Sequence, residues 1–354
     1  MAGSEASVSR LWAFLGAFLL LCYFLLGLGQ SLLFDVDEGA FSEATREMVV
    51  SGDWGHTTLN GADRFDKPIG VYWLQALSVT LLGLDEFALR LPSALAAWLA
   101  CLALALTAYQ AWGPRAAMLA AMVFASSLGP WAMARTATAD ALLGLWLMLS
   151  ALDLWRYLCN NDRRALRRMA LWMALGVLTK GPVAVLIPAA VLLLWQWWGP
   201  SPGLVLRTLR DGWSWLIFGA VAGPWYTYAW LRHGDAFIQG FFLRHNLERF
   251  SAPMEGHGGG WLYFVLVLPL LWMPWTPLVL NLGMRWKAMW QTPIFCAVPC
   301  MACRPPIAHT GQLPCHAHKA GRVEKFRGGL AGLIHRRMTT STDTKRKTGP
   351  ASKA

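Results

Sequence analysis

Charge is what this 354-residue chain has least of. Only 14% of its residues are Asp, Glu, Lys or Arg, against 56% hydrophobic, a balance that excludes an ordinary soluble domain and defines a polytopic membrane protein. Thiols are scarce as well. Of the seven cysteines, Cys22, Cys101 and Cys159 fall in or beside apolar runs, where a thiol behaves as a small buried hydrophobe and not as part of a disulfide frame. A small-residue cleavage site after the first apolar run, Leu11 to Phe34, is missing, so the run reads as an uncleaved first span, not a signal peptide. Gly258-Gly259-Gly260 lacks the Lys-Ser/Thr that a phosphate loop requires and reads as a linker. Asn60 is in no glycosylation sequon. Internal repeats and mid-membrane charges, which a membrane transporter would carry, are also missing.

What is present is a series of nearly uncharged runs. They place spans at about 11–33, 87–111, 116–134, 141–158, 169–180, 183–199, 213–231 and 261–283. Residues 69–84 are apolar but short and lie between charged segments, which predicts a helix lying in the membrane interface. The abundant tryptophan, 21 residues, fits interfacial belts. The net charge of +11 sits largely in the last stretch of the chain and in short loops, where it reports topology and not nucleic-acid binding. The densest basic loop, Arg156 with Arg163, Arg164, Arg167 and Arg168, is expected inside. Counting spans from it puts Asp37, Glu38, Asp66, Lys67, Asp140, Lys180 and the Arg244–Arg249 cluster together on the outer side.

Ionisable groups beside hydrocarbon spans are functional candidates by default. Each also has a plainer reading. Asp140, which opens an apolar helix, suits an N-cap; Lys180-Gly181-Pro182 suits a snorkelling helix end; Arg64 and Lys67 suit headgroup anchors. Asp35-Val36-Asp37 has the form of a nucleotide-sugar DxD motif, which is short enough to arise by chance. His245 near Glu248 is too small a set for a metal site.

From Asp37-Glu38-Gly39-Ala40-Phe41-Ser42-Glu43 onward the sequence resembles the polytopic, lipid-linked-sugar glycosyltransferases that include the ArnT-like aminoarabinose transferases and the protein O-mannosyltransferases. The likeness continues through Leu59-Asn60-Gly61, Phe65-Asp66-Lys67-Pro68, Tyr72-Trp73-Leu74 and Glu86 to Ser93. It then runs through Thr138-Ala139-Asp140, Leu178-Thr179-Lys180-Gly181-Pro182, Asn246-Leu247-Glu248-Arg249-Phe250 and Leu271 to Trp275. The resemblance implies an all-α membrane protein, a polytopic helical bundle of the GT-C type with juxtamembrane helices in the first outer loop. Its module covers residues 1–285, with about eight spans and the catalytic motif in the 35–85 outer loop.

It implies a polyprenyl-phosphate-sugar donor, a glycolipid (lipid A-like) or protein acceptor, contact with membrane lipids, and an inner-membrane location with the site facing outward; no metal or further cofactor is assigned. By motif, Asp37, Glu38 and Asp140 take the catalytic carboxylate positions, while Lys67, Lys180 and Arg249 take those that hold the lipid phosphate. The sequence departs from the aminoarabinose transferases at Ala40, where they carry Arg, and at Asp66, where they carry Glu. Residues 286–354 depart altogether. They form a basic tail, expected to be disordered, with Cys296, Cys300, Cys303, Cys315, His309, His316 and His318 in no recognised zinc spacing, and the chain reads as truncated or frame-shifted there. A donor-binding fragment without turnover, or a transporter of lipid-linked sugars, is therefore the alternative to an active transferase.

Overall fold

A computed structural model describes residues 2–34, 37–198, 203–241 and 261–284. The architecture is helical apart from one small hairpin. The helices are α1 (Ala2–Leu25), α2 (Asp37–Ser51), α3 (Gly70–Leu82), α4 (Glu86–Trp112), α5 (Pro114–Ser126), α6 (Leu128–Met133), α7 (Asp140–Asn160), α8 (Arg163–Lys180), α9 (Val183–Trp198), α10 (Leu204–Leu209), α11 (Gly212–His233), α12 (Asp235–Phe237), α13 (Trp261–Leu271) and α14 (Thr276–Met284). Strands β1 (Thr58–Leu59) and β2 (Ala62–Asp63) pair antiparallel across the Asn60-Gly61 turn.

Local chemistry sets the helix ends. Asp85, Asp162 and Asp211 cap α4, α8 and α11 through their side chains, supplying acceptors for otherwise orphaned N–H groups. Asn161 turns the chain between α7 and α8 in the left-handed conformation. α7 and α8 therefore run antiparallel, with Asp140 and Lys180 at one end and Arg163, Arg164 and Arg167 near the other. Small residues let the helices approach closely. The buried face of α4 is built from Ala88, Ala94, Ala96, Ala97, Ala100 and Ala108. The main core joins Phe41, Met48, Tyr72, Leu142, Leu145, Leu178 and Ala222 from α2, α3, α7, α8 and α11. Large apolar residues such as Phe14, Phe18, Trp197, Trp213 and Leu231 are exposed, an extent of apolar surface that suits contact with lipid.

Among the described residues, α4 and α7 are long and apolar enough to cross a membrane. The helix expected over 69–84 is α3. Two expected spans are broken. The 116–134 run divides at Ser127 into α5 and α6, and the 261–283 run divides into α13 and α14, bent by 117°. Pro274, which has no backbone donor and cannot continue a helix, stands in the second break. The two breaks face each other: Leu128 N–H donates to the Met273 carbonyl at 2.9 Å, and Trp275 Nε1 donates to Ser126 Oγ at 2.8 Å. Irregular backbone beside hydrocarbon is tolerable when protein satisfies it in this way.

Candidate active site

The loop after the first apolar run is fastened at its start by an ion pair. Glu38, in the first turn of α2, and Arg90, in the second turn of α4, are each only 2% exposed. Arg90 Nε and Nη2 donate to Glu38 Oε1 and Oε2, both at 2.9 Å. The same guanidinium donates to the carbonyls of Leu28, Ser31 and Leu32. Glu38 also accepts from the backbone N–H groups of Phe34 at 2.7 Å and Ala137 at 2.6 Å. Burial alone would push the Glu38 carboxyl up, but the Arg90 hydrogen bonds and the two backbone donors hold it below its ordinary value. The clamp thus ties residues 28–34 and the start of α2 to α4 and to the 134–139 turn that precedes Asp140. Gln75 adds a second buried tie, donating to the Leu89 and Ala137 carbonyls and accepting from Thr45.

Next to Glu38, Asp37 is exposed at the start of α2, and its carboxylate makes no hydrogen bond to any described residue. The two neighbouring acids are therefore in opposite situations. Glu38 has both oxygens engaged, whereas Asp37 is open to solvent.

Lys67 ends the loop in a charged triad. Its Nζ lies 2.7 Å from Asp66 Oδ1, and Arg64 Nη2 lies 2.9 Å from Asp66 Oδ2. Arg64 Nε also donates to the buried Tyr72 hydroxyl at 3.1 Å, whose pKa burial raises to about 12. The Tyr72 ring stacks on Phe41, and the Arg64 guanidinium lies over the Phe41 face, so the triad is anchored to α2. Lys180, the last residue of α8, pairs with Asp140, the first of α7. Trp146 Nε1 donates to Thr179 Oγ1 and Tyr226 hydroxyl to the Val177 carbonyl, which fixes the end of α8 from both sides.

Two close approaches bring these pairs to one end of the bundle. A Cβ at Gly70 would sit 2.7 Å from the Leu178 carbonyl oxygen, so only glycine lets the start of α3 press against the end of α8. Gly181, at φ +82°, turns the chain after Lys180, and a Cβ there would meet the Phe241 ring at 2.8 Å. Phe241 and Phe237 in turn pack with Phe65. Elements widely separated in sequence thus converge around Lys67 and Lys180. Arg249, His245 and the cysteine- and histidine-rich tail lie outside the described residues.

Arg90 is the residue that sequence reasoning left without a role. Its signal was a lone basic residue in the second turn of an otherwise apolar helix. His56, Asp63 and His233, which sequence spacing does not connect, form the one group among the described residues with a geometry that could hold a metal ion.

The comparisons with known proteins agree with this architecture. Residues 66–222 match the family model described as dolichyl-phosphate-mannose-protein mannosyltransferase. The chain is 28% identical over 305 residues to an undecaprenyl phosphate-alpha-4-amino-4-deoxy-L-arabinose arabinosyl transferase of Pseudomonas fluorescens, covering 80% of this chain and 52% of that protein. It is 31% identical over 276 residues to the corresponding transferase of Aeromonas salmonicida, covering 76% and 49%. The crystal structure of ArnT from Cupriavidus metallidurans bound to undecaprenyl phosphate superposes with a TM-score of 0.71 at 23% identity, over 78% of this chain and 51% of that one. By fold, then, the chain is an integral membrane helical bundle of the GT-C type. By sequence, residues 66–222 match that family model, and about three quarters of the chain is similar to the undecaprenyl-phosphate aminoarabinose transferases. The chain spans about half the length of the curated relatives it matches.

Proposed function

We propose that this chain forms the donor site of an inner-membrane glycosyltransferase that moves a sugar from a polyprenyl-phosphate carrier to an acceptor on the outer face, a lipid A-like glycolipid or a protein. The observation that supports this reading is the close approach of α3, just after Lys67, to the end of α8 at Lys180, with each lysine held by a carboxylate.

The chemistry follows from the charge on the donor. A polyprenyl-phosphate sugar is a phosphodiester with one negative charge. When the anomeric C–O bond breaks, the leaving phosphate monoester gains a second negative charge. Cations fixed before the reaction stabilise that new charge without reorganising, and they act strongly where water is scarce. Lys67, supported by Arg64, and Lys180 are such cations, and Arg249 is assigned to the same task. Asp66 and Asp140 orient the lysines without fully neutralising the site, because the Arg64–Asp66–Lys67 triad keeps a net positive charge.

Asp37 is the general base or acceptor-positioning group. Its exposure leaves it available to an incoming hydroxyl or phosphate, and a single displacement inverts the anomeric centre. Glu38, whose oxygens are taken by Arg90 and two backbone donors, acts as a positioning residue for Asp37. Asp140 works through Lys180.

The test is transfer from a radiolabelled polyprenyl-phosphate sugar by the purified chain in detergent. Transfer that is lost in Asp37→Ala and in Lys67→Ala supports the reading. Transfer unaffected by either substitution overturns the site. Donor binding without transfer supports the alternative, a donor-binding fragment.

A further inference from the structure

The hairpin of the first outer loop carries a second cluster, beside the lysine triad. Asp63 lies in β2, opposite Thr58. His56 Nε2 is 2.9 Å from Asp63 Oδ1, and His233 Nδ1 is 3.6 Å from Asp63 Oδ2. The two imidazole centroids are 4.3 Å apart. One ligand atom from each of the three residues lies within 4.8 Å of the others. The histidine side chains are 10% and 12% exposed.

Hydrogen bonding alone leaves His233 unexplained. Its Nε2 is buried without any hydrogen-bond partner, and at 3.6 Å its Nδ1 is beyond hydrogen-bonding distance of the carboxylate. The edge of Phe65 closes another side, with centroids 5.1 Å apart. Buried polar groups normally find partners. Two imidazoles gathered around one carboxylate, with a ring nitrogen unused, is the donor set of a borderline-soft divalent ion, for which imidazole nitrogen and carboxylate oxygen are standard ligands.

We propose that His56, Asp63 and His233 form a binding site for a divalent transition-metal ion of the zinc class, which staples the first outer loop to the end of α11. Three protein ligands leave a coordination position for water, and the small cavity beside the cluster, about 10 Å³ and lined also by Arg64 and Lys67, has room for about one water molecule. Of the nearby cations, Arg232 is paired with Asp53 at 2.6 Å, while Arg64 and Lys67 share Asp66, so the carboxylate of Asp63 is the ligand that brings compensating charge to the ion. The ion reinforces contacts that already bind the hairpin to α11, among them Trp225 Nε1 donating to the Gly55 carbonyl at 3.0 Å. From Asp63 the chain runs directly through Arg64 to Lys67, so the staple fixes the base of the lysine loop. This proposal does not rest on the transferase reading and is tested without an activity assay.

The experiment uses the full chain without a polyhistidine tag, stripped with chelator and titrated with Zn²⁺ in detergent near neutral pH. All arms carry Cys296, Cys300, Cys303 and Cys315 as serine, which removes competing thiolates. The expected result is one Zn²⁺ retained per chain and a raised thermal midpoint. Both are lost in His56→Gln/His233→Gln, and Asp63→Asn weakens binding at least tenfold. Equal zinc retention and equal thermal shift in the double histidine variant would overturn the proposal, as would no retention in the parent. Should the double variant fail to fold, Co²⁺ titration of the parent decides. Visible bands of a nitrogen- and oxygen-ligated ion, fading on acidification as imidazoles protonate, support the site, and their absence overturns it.

Discussion

Arg90→Met probes the clamp on which the outer loop hangs. In the native chain the guanidinium serves both oxygens of Glu38 and the carbonyls of Leu28, Ser31 and Leu32. Methionine keeps much of the volume and removes every donor. Glu38 would be left as a buried carboxylate with only the Phe34 and Ala137 N–H groups, and breaking a buried pair on one side costs about 3–5 kcal/mol. The carboxyl has an escape, which sets a ceiling. Protonating it at pH 7 from an ordinary value of 4.5 costs about 1.36 kcal/mol per pH unit, about 3.4 kcal/mol in all. The expected loss is therefore about 3 kcal/mol. Arg90→Lys, which keeps the charge but loses the two-pronged geometry, should fall between the variant and the parent. Glu38→Gln added to Arg90→Met removes the stranded charge and should recover part of the loss, giving a favourable coupling energy in a double-mutant cycle. The assay is unfolding in mixed micelles of increasing denaturing-detergent fraction, followed by circular dichroism, with limited proteolysis of the 28–38 segment as the local readout. An Arg90→Met protein that unfolds with the parent and resists protease equally would refute the clamp. So would a double variant that is less stable than Arg90→Met alone.

Acidification tests the same pair by linkage. The folded-state pKa of Glu38 is depressed, so its stabilisation is fully present above the unfolded value near 4.5 and is lost as pH falls through the lower folded value. The thermal midpoint of the parent should drop through that window more steeply than that of Glu38→Gln. Lys180→Ala should lower transfer by about 10²–10³-fold, the scale of one lost charge-stabilising group, with a smaller effect on stability because its partner Asp140 is 43% exposed; an unchanged rate would remove Lys180 from the site. Gly70→Ala should destabilise by about 1–3 kcal/mol through overpacking against the Leu178 carbonyl, read in the same micelle titration, and an unshifted transition would contradict the close approach of α3 and α8.

The sequence carried the helices but not their interruptions. Hydrocarbon runs announce spans through composition alone, so α4 and α7 were legible in outline, and the short apolar stretch after Lys67 appeared as α3. The breaks at Ser127 and Pro274 were not legible as a pair, because each is satisfied by the other across a distance of about 150 residues in sequence: the Leu128–Met273 and Ser126–Trp275 bonds have no local signature. The site divides in the same way. Asp37, Lys67, Asp140 and Lys180 stood out because charge at a span end is conspicuous. Which of the two adjacent acids is open and which is sequestered is decided by Arg90, some 50 residues on in sequence, and pattern alone does not show it.

That division matters for what the proposed donor site needs from its scaffold. Lysines at helix ends are long and mobile, and ordering such side chains has an entropic cost. In this chain the cost is met before any ligand arrives: Lys67 is held by Asp66, and Lys180 by Asp140. The backbone beneath each is pinned by contacts that are individually unremarkable, a glycine pressed on a carbonyl and a tryptophan donating to a threonine. Substituting these supports should therefore weaken donor binding, though by less than losing a lysine charge, while leaving the charge count intact. Thr179→Val is the cleanest case. It keeps the volume, removes the acceptor for Trp146 Nε1, and should reduce affinity for a polyprenyl phosphate about 5–20-fold, the equivalent of about 1–2 kcal/mol for one buried hydrogen bond and the donor it strands. Affinity measured by titration in detergent that equals the parent's would mean that the lysine is ordered by its carboxylate alone.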